Sequence, residues 1–505
     1  MIYKVFFAPL LIIPGLFSGT VALAGDTPEE EDSKQITVLD QVVPVADDLD
    51  EGQRAIDDGT DVAGSVGPPT EADEEKNLTD RELLELEFSR FARLKENGML
   101  DEAENSAKRA IEMSIRSSGP TSNETGKALS NLATVQYDRG EYELAQQNFQ
   151  SAIDIFIDNQ DQLSVRLLNP LKGLGAAQLE GGRPDLAAET FTRAAHISHV
   201  NEGPHNLEQI PILEALAETN LRMRNLDAAK DAQDMIYAIN MRHLDGDPMA
   251  MVPPLMRRAA WQRRTGYVLD ERATYRRIIR IIEDAKGKDD LSLIAPLSKL
   301  AESYFYIDTS ESTSFQTSTI ATGEVYFKRA VRIAEDSPDS SWQILASTQI
   351  ALADYYNYRA DQGRARRSYR DAWDLLSTDD ERLEVRHEAL ERLLPLNGEP
   401  ISPFVGDATR EDVTSGDSDL RKGSIVVAYD VSSRGRVTKV EVIEAIPPEF
   451  EDMQKEVERE VRHRIFRPPF IDGEPVESQN QVLTHTYYYQ QSELDKLHAA
   501  AATAD

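Results

Sequence analysis

The sequence predicts a mostly α protein: a stack of paired helices, followed by a small α+β domain. Three observations lead there. Small and aromatic residues recur at 42-residue intervals through the middle of the 505-residue chain. The apolar positions between them follow helical spacing and do not alternate as a strand would. After Leu396 the composition turns to Pro, Gly and β-branched residues, with short alternating runs.

The template is Ala133, Gly140, Ala145, Phe149 and Ala152. A shift of 42 residues meets Gly175, Gly182, Ala187, Phe191 and Ala194; the opposite shift meets Phe91, Gly98, Ala103, Ala107 and Ala110. The fourth unit runs through Leu216, Ala217, Leu226, Ala229 and Ile236, and the fifth through Ala259, Gly266, Tyr275 and Ile278. The sixth begins at Leu300, Ala301 and Tyr304. A Ser/Thr-rich insertion at 309–320 delays its second helix, which resumes with Phe327 and Ala330. The seventh holds Leu352, Ala353, Tyr356, Ala365, Tyr369 and Ala372. Each unit reads as two amphipathic helices broken by a turn glycine. In the second unit Ala128, Leu129, Leu132, Ala133 and Val135 form one stripe. Leu144, Ala145, Phe149, Ala152, Ile153 and Phe156 form the other. Small residues at fixed offsets imply closely packed helices, and a stack of such units is an interaction surface rather than a catalyst. The stack is expected over 80–396, as seven units and a charged capping helix at 381–394. Arg224 stands where the turn glycine belongs and Glu271 where a small alanine belongs. Looser packing is expected at both.

The spacing of Leu132-Ala133, Gly140, Tyr142, Ala145, Phe149 and Ala152 resembles the tetratricopeptide (TPR) family. Its usual unit is about 34 residues, so these units resemble its longer-helix variants. The resemblance implies a right-handed superhelix whose concave groove is lined by the first helix of each pair. By alignment the groove would present Lys127, Ser130, Thr134 and Tyr137 in the second unit. In the fifth it would present Met256, Ala260, Arg263 and Arg264. These are candidate partner-binding residues; the alternative is an ordinary solvated face.

Net charge is -34, and residues 25–80 alone hold 18 acidic and three basic side chains. So acidic a chain is a poor nucleic-acid ligand, since phosphate contacts need clustered Lys and Arg. Absence of cysteine removes disulfides, thiolate metal sites, cysteine nucleophiles and a lipid-anchor cysteine. Residues 1–24 resemble a secretory signal: Lys4, an apolar run over 5–17, and Ala22-Leu23-Ala24 before Gly25. The alternative is an uncleaved anchor, against which Pro9 and Pro14 interrupt the run. Cleavage would leave no stable membrane span and place the protein in the periplasm. Residues 25–79 read as a disordered acidic leader.

A linker is expected at 397–423, a domain at 424–490 and a flexible tail at 491–505. Within the domain, Ile425, Val427, Tyr429 and Val431 share one strand face. Residues 433–436 form a turn, and 437–443 a second strand. Residues 449–465 read as a helix with Phe450, Met453, Val457, Val461 and Ile465 on its apolar side. A last strand runs from Val482 to Tyr489. Strand, strand, helix, strand is a small α+β unit. The runs 423–431, Gly435-Arg436-Val437, Arg464-Ile465-Phe466-Arg467-Pro468 and Gly473-Glu474-Pro475-Val476 resemble the TonB C-terminal domain family. That resemblance implies capture of an envelope protein, such as an outer-membrane transporter, by strand addition. The candidate edge would be Val482, Thr484, Thr486, Tyr487, Tyr488 and Tyr489, unless the tyrosines pack the sheet.

No cofactor or catalytic site is expected. His196, His199 and His205 are near one another, but no carboxylate or thiol pattern completes a metal site. Phosphate-cradling loops, His-Glu-x-x-His and Gly-x-Ser-x-Gly are absent from the sequence. The cluster Arg459, Arg462, His463, Arg464 and Arg467 complements a helix C-terminus, or binds an acidic partner. The expectation is a periplasmic adaptor. The alternative is a membrane-anchored, TonB-type energy transducer.

Overall fold

An alanine or glycine at each helix crossing lets two backbones approach, and an aromatic ring from the next helix fills the space left over. The computed structural model describes residues 79–244, 246–305, 323–397, 401–408 and 418–502. The expected signal, acidic leader and insertion at 309–320 fall outside the described residues.

The described residues divide into two units, one ending at Gly246 and one beginning at Asp247. The first contains α1 (Asp80–Glu96), α2 (Leu100–Ser118), α3 (Asn123–Asp138), α4 (Tyr142–Asn159), α5 (Leu168–Glu180), α6 (Pro184–Glu202), α7 (Gln209–Arg222) and α8 (Leu226–His243). Consecutive helices pack as antiparallel pairs. Side-chain caps open several: Thr79 and Glu82 form a capping box on α1, and Ser122 caps α3. Phe149, Phe191, Ala133, Ala145, Ala177, Ala187 and Ala194 are buried in one continuous core. The approach is close enough that a methyl group at Gly173 would lie 2.2 Å from the Phe149 ring.

The turn inside each pair repeats in atomic detail. Gly98, Gly140, Gly182 and Gly266 have φ between 69° and 79°. At Gly140 the N–H donates to Tyr137 O, and the following Glu141 N–H donates to Gln136 O, which closes the helix as a Schellman turn. Arg224 makes the same turn at φ 58°, with Asn225 N–H donating to Asn220 O. The expected loosening at Arg224 is therefore corrected: the turn is intact and the non-glycine residue absorbs the strain.

A second repeated feature is polar. Asn148 Nδ2 donates to Gln136 Oε1 at 2.8 Å, and Thr190 Oγ1 to Gln178 Oε1 at 2.8 Å. Across each loop a 42-residue series recurs. Asn159 Nδ2 donates to Thr121 O, Asn201 Nδ2 to Leu163 O, and His243 Nε2 to His205 O.

The second unit contains α9 (Val252–Arg264), α10 (Val268–Lys286), α11 (Ile294–Glu302), α12 (Gly323–Asp336), α13 (Trp342–Tyr358), α14 (Gln362–Leu375) and α15 (Asp380–Leu390). Thr274 Oγ1 donates to Gln262 Oε1 at 2.8 Å, repeating the polar clamp. Phe327 and Ala330 are buried, as is Tyr369. Glu271 does not loosen the packing by gaining exposure: it is 0% exposed.

After the short β1 (Leu394–Pro395), the chain forms β2 (Leu420–Val431), β3 (Val437–Ile446), α16 (Glu451–His463), β4 (Phe466–Arg467), β5 (Phe470–Ile471), β6 (Glu474–Pro475), β7 (Ser478–Gln490) and α17 (Gln491–Ala502). β2 and β7 start earlier than expected, and α16 is shorter at both ends. The main sheet has the order β3-β2-β7, antiparallel throughout. Ile425, Val427, Tyr429 and Val431 pack with Met453, Val457 and Val461 of α16.

This small sheet is seated on the last helix pair. β1 pairs with β4. Arg467 Nε donates to Asp354 Oδ1 at 2.8 Å, and its Nη1 donates to Ala389 O. Tyr369 Oη donates to the same Asp354 oxygen, and Asn357 Nδ2 donates to Phe466 O at 2.8 Å. Phe470 packs against Tyr369 with ring centres 5.0 Å apart, and Glu474 pairs with Arg366 and Arg370. Thus Arg467 is not part of an exposed basic cluster. It is a buried cation whose guanidinium is held charged by Asp354 against the cost of burial.

Candidate functional site

The groove residues expected on α3 are mostly interior. Ser130, Thr134 and Tyr137 are buried, because neighbouring helices pack on both sides of α3. Thr134 Oγ1 donates to Ser130 O at 2.9 Å, satisfying its hydroxyl within the helix. Burial pushes the Tyr137 hydroxyl pKa well up, and the Glu180 charge adds to the effect. These three are corrected from contact residues to packing residues; Lys127 is half-buried and remains accessible.

In the second unit Met256 and Ala260 are half-buried and Arg264 is exposed. Arg263 donates to Glu302 at 2.8 Å, an ion pair between α9 and α11, so its charge is engaged within the fold.

A residue absent from the expected set stands out. Lys172 on α5 occupies the place that Ser130 holds on α3, one 42-residue step on. It is half-buried, and burial holds its ammonium below the usual lysine range, opposed by the Glu208 charge. A partly desolvated ammonium with water on one side can take a carboxylate or a backbone carbonyl from a partner. The 42-residue shift of Ser130 would have found it. Ion pairs link successive first helices nearby: Lys95 to Asp138 at 3.7 Å, and Arg222 to Glu180 at 2.7 Å.

The last strand divides by face. Tyr487 is 0% exposed and Tyr489 is buried, both in the core beneath the sheet. Burial, with Tyr489 and the Glu449 charge adding to it, pushes the Tyr487 hydroxyl up to about 12. Their expected role at the edge is corrected: strand alternation turns them onto α16. Val482, at 59% exposed, Thr484 and Thr486 face the opposite side, and Tyr488 is half-buried there. β7 is an edge strand of the sheet. Its 13 residues contain no Asp, Glu, Lys or Arg, in a chain that is 29% charged. Natural edges are usually blunted by charge or proline.

Among the described residues no group of three or more His, Cys, Asp or Glu could hold a metal ion. His196 lines a surface cavity of about 680 Å³ with Arg193, Asp161 and Leu163. His205 instead accepts the His243 bond through its backbone. Among the described residues no helix is long and apolar enough to cross a membrane.

A family model described as tetratricopeptide repeat matches residues 94–158. No curated protein matches the chain. Among solved structures, the TPR-like repeats of a kinesin light chain from Podosopora anserina are 14% identical, over 41% of this chain and 96% of that one, with a TM-score of 0.36. A tetratricopeptide repeat protein from Parabacteroides merdae is 14% identical, over 61% and 99%, at 0.32. Aspartyl phosphate phosphatase F from Bacillus subtilis is 13% identical, over 61% and 74%, at 0.35. The tetratricopeptide-repeat match thus falls on α2, α3 and α4, and the turn geometry seen there recurs at 42-residue steps at Gly182, Arg224 and Gly266.

Proposed function

We propose that the protein is a non-catalytic scaffold of the cell envelope. The helical repeats bind one partner, through the half-buried cations Lys127 and Lys172 on the first helices. The exposed edge of β7 binds an extended segment of an envelope protein, such as an outer-membrane transporter, by backbone pairing. The observation that carries this reading is the uncharged edge strand on a domain fixed to the last helix pair. An edge with free backbone groups is a binding device when no charge blunts it. Export would follow from residues 1–24, with the mature protein starting at Gly25 in the periplasm.

Affinity purification of the tagged full chain from envelope extracts tests the reading. The wild type is expected to retain a discrete set of proteins. Lys172→Glu should lose one subset and Thr484→Pro another. Identical retention by all three proteins would sink it. N-terminal sequencing tests the location: Gly25 first is expected, whereas Met1 in a membrane fraction would replace the scaffold by the anchored transducer.

A further inference from the structure

The β7 edge is not open along its whole length. Tyr488 N–H donates to Pro403 O at 2.7 Å, and Val405 N–H donates to Tyr488 O at 2.9 Å. Phe404 and Tyr488 form a parallel bridge, with their rings stacked 5.8 Å apart. His485 Nε2 donates to Ser402 O at 3.0 Å. Ile401 and Val405 pack against the core below the sheet. Asp407 N–H donates to Glu493 Oε1 on α17 at 3.0 Å. Residues 401–405 therefore lie on the edge as a short strand would.

The outward bonds of Tyr488 fix the phase of the whole strand. In an antiparallel pair the outward-facing residues alternate with those bonded to the neighbouring strand. Thr486, Thr484 and Val482 therefore also turn their N–H and C=O groups away from β2. Among the described residues their outward groups have no backbone partner. Among the described residues, three residues of edge are open and the fourth is taken by the chain itself.

We propose that residues 401–405 are an internal pseudo-strand that closes one end of the β7 docking edge, so that an extended, uncharged peptide segment pairs first with 482–486 and gains the full edge only when 401–405 lifts away. This rests on the reading that the β7 edge is the docking strand. The occupant is uncharged because the edge offers it no charge, and extended because only a strand satisfies the alternating backbone groups. The ring contact of Phe404 and the imidazole bond from His485 hold the pseudo-strand from its two sides.

The test uses the full chain and a labelled nonapeptide of alternating Thr and Val with both termini blocked, so that it carries no charge. Binding is measured by fluorescence anisotropy for the wild type, for Ile401→Ala/Phe404→Ala, and for Thr484→Pro. Proline at 484 removes an outward N–H and leaves the β2 ladder intact. Amide exchange at Tyr487 and Tyr489 checks that the sheet persists in each variant. The double variant is expected to bind about tenfold tighter than the wild type, with the Tyr488 amide newly exchanging. Thr484→Pro should abolish binding. Loss of binding in Thr484→Pro with no gain in the double variant overturns the pseudo-strand and leaves the docking edge standing. Binding unaffected by Thr484→Pro, or no binding by any of the three proteins, overturns both.

Discussion

The helix pairs α3/α4 and α9/α10 occupy equivalent places in the repeat and differ at several buried positions, one of which exchanges an alanine for a carboxylate. Ala133 and Ala259, Gly140 and Gly266, and Gln136 and Gln262 correspond, and both pairs close the same turn and the same polar clamp. Where α4 has Ala145, α10 has Glu271, and both are 0% exposed. Both carboxylate oxygens of Glu271 are buried with no hydrogen-bond partner among the described residues. Burial drives its pKa up to about 7; the Arg263 charge opposes the shift and the Glu302 charge adds to it. Arg263 already serves Glu302, and Arg272 donates to Ser303. The difference teaches that turn and clamp set the helix geometry. A misfit core residue leaves that geometry in place and lowers stability instead.

Exchanging the two residues should give the largest effects. Ala145→Glu places a carboxylate in a core with no cation assigned to it, and should cost more than about 3 kcal/mol in denaturant unfolding. Glu271→Ala should do the opposite, with a pH signature. Below the ordinary value of 4.5, folded and unfolded forms are both protonated. As pH rises from 4.5 to about 7, the unfolded carboxyl ionises while the folded one keeps its proton. Stability therefore falls across that window, by about 3 kcal/mol in all, and is flat above it. Glu271→Ala should recover that amount at pH 8 and much less at pH 4. A pH-independent gain would show that the folded Glu271 carboxyl titrates as the unfolded one does, and would contradict the raised pKa.

Smaller effects sharpen the shared features. Gln136→Leu and Gln262→Leu each leave a clamp partner unpaired, and should cost about 1–2 kcal/mol each. Unequal losses would mean that the clamp is not equivalent in the two pairs. Arg224→Gly relieves a left-handed backbone and should gain about 1 kcal/mol, while Gly140→Arg should lose a similar amount. Melting curves of the two variants, read against the wild type, decide this.

The sequence made the turn glycines, Ala133, Phe149 and the strand face of Ile425 to Val431 legible, because each belongs to a period that one chain can display alone. Exposure was less legible. Ser130, Thr134 and Tyr137 look like surface residues on an isolated α3, yet a helix flanked on both sides buries small polar groups and satisfies them internally. The partnership of Arg467 with Asp354 joins residues 113 positions apart, and no periodicity announces it. Arg467 therefore read as part of a basic helix end. The contact of 401–405 with β7 was hidden for the same reason, since a stretch rich in Pro and Gly reads as a linker whether or not it lies on an edge. Lys172 was available by a 42-residue shift of Ser130, and its half-burial is a tertiary fact that the shift does not supply.

Site-specific photo-crosslinking addresses binding by this protein most directly. A benzoyl-phenylalanine replaces Lys172, Thr484 or the exposed Glu112 in the full chain, and adducts are identified after irradiation of envelope extracts. The scaffold account predicts discrete protein adducts at Lys172 and at Thr484, different from each other, and none at Glu112. Equal, diffuse labelling at all three positions would contradict it.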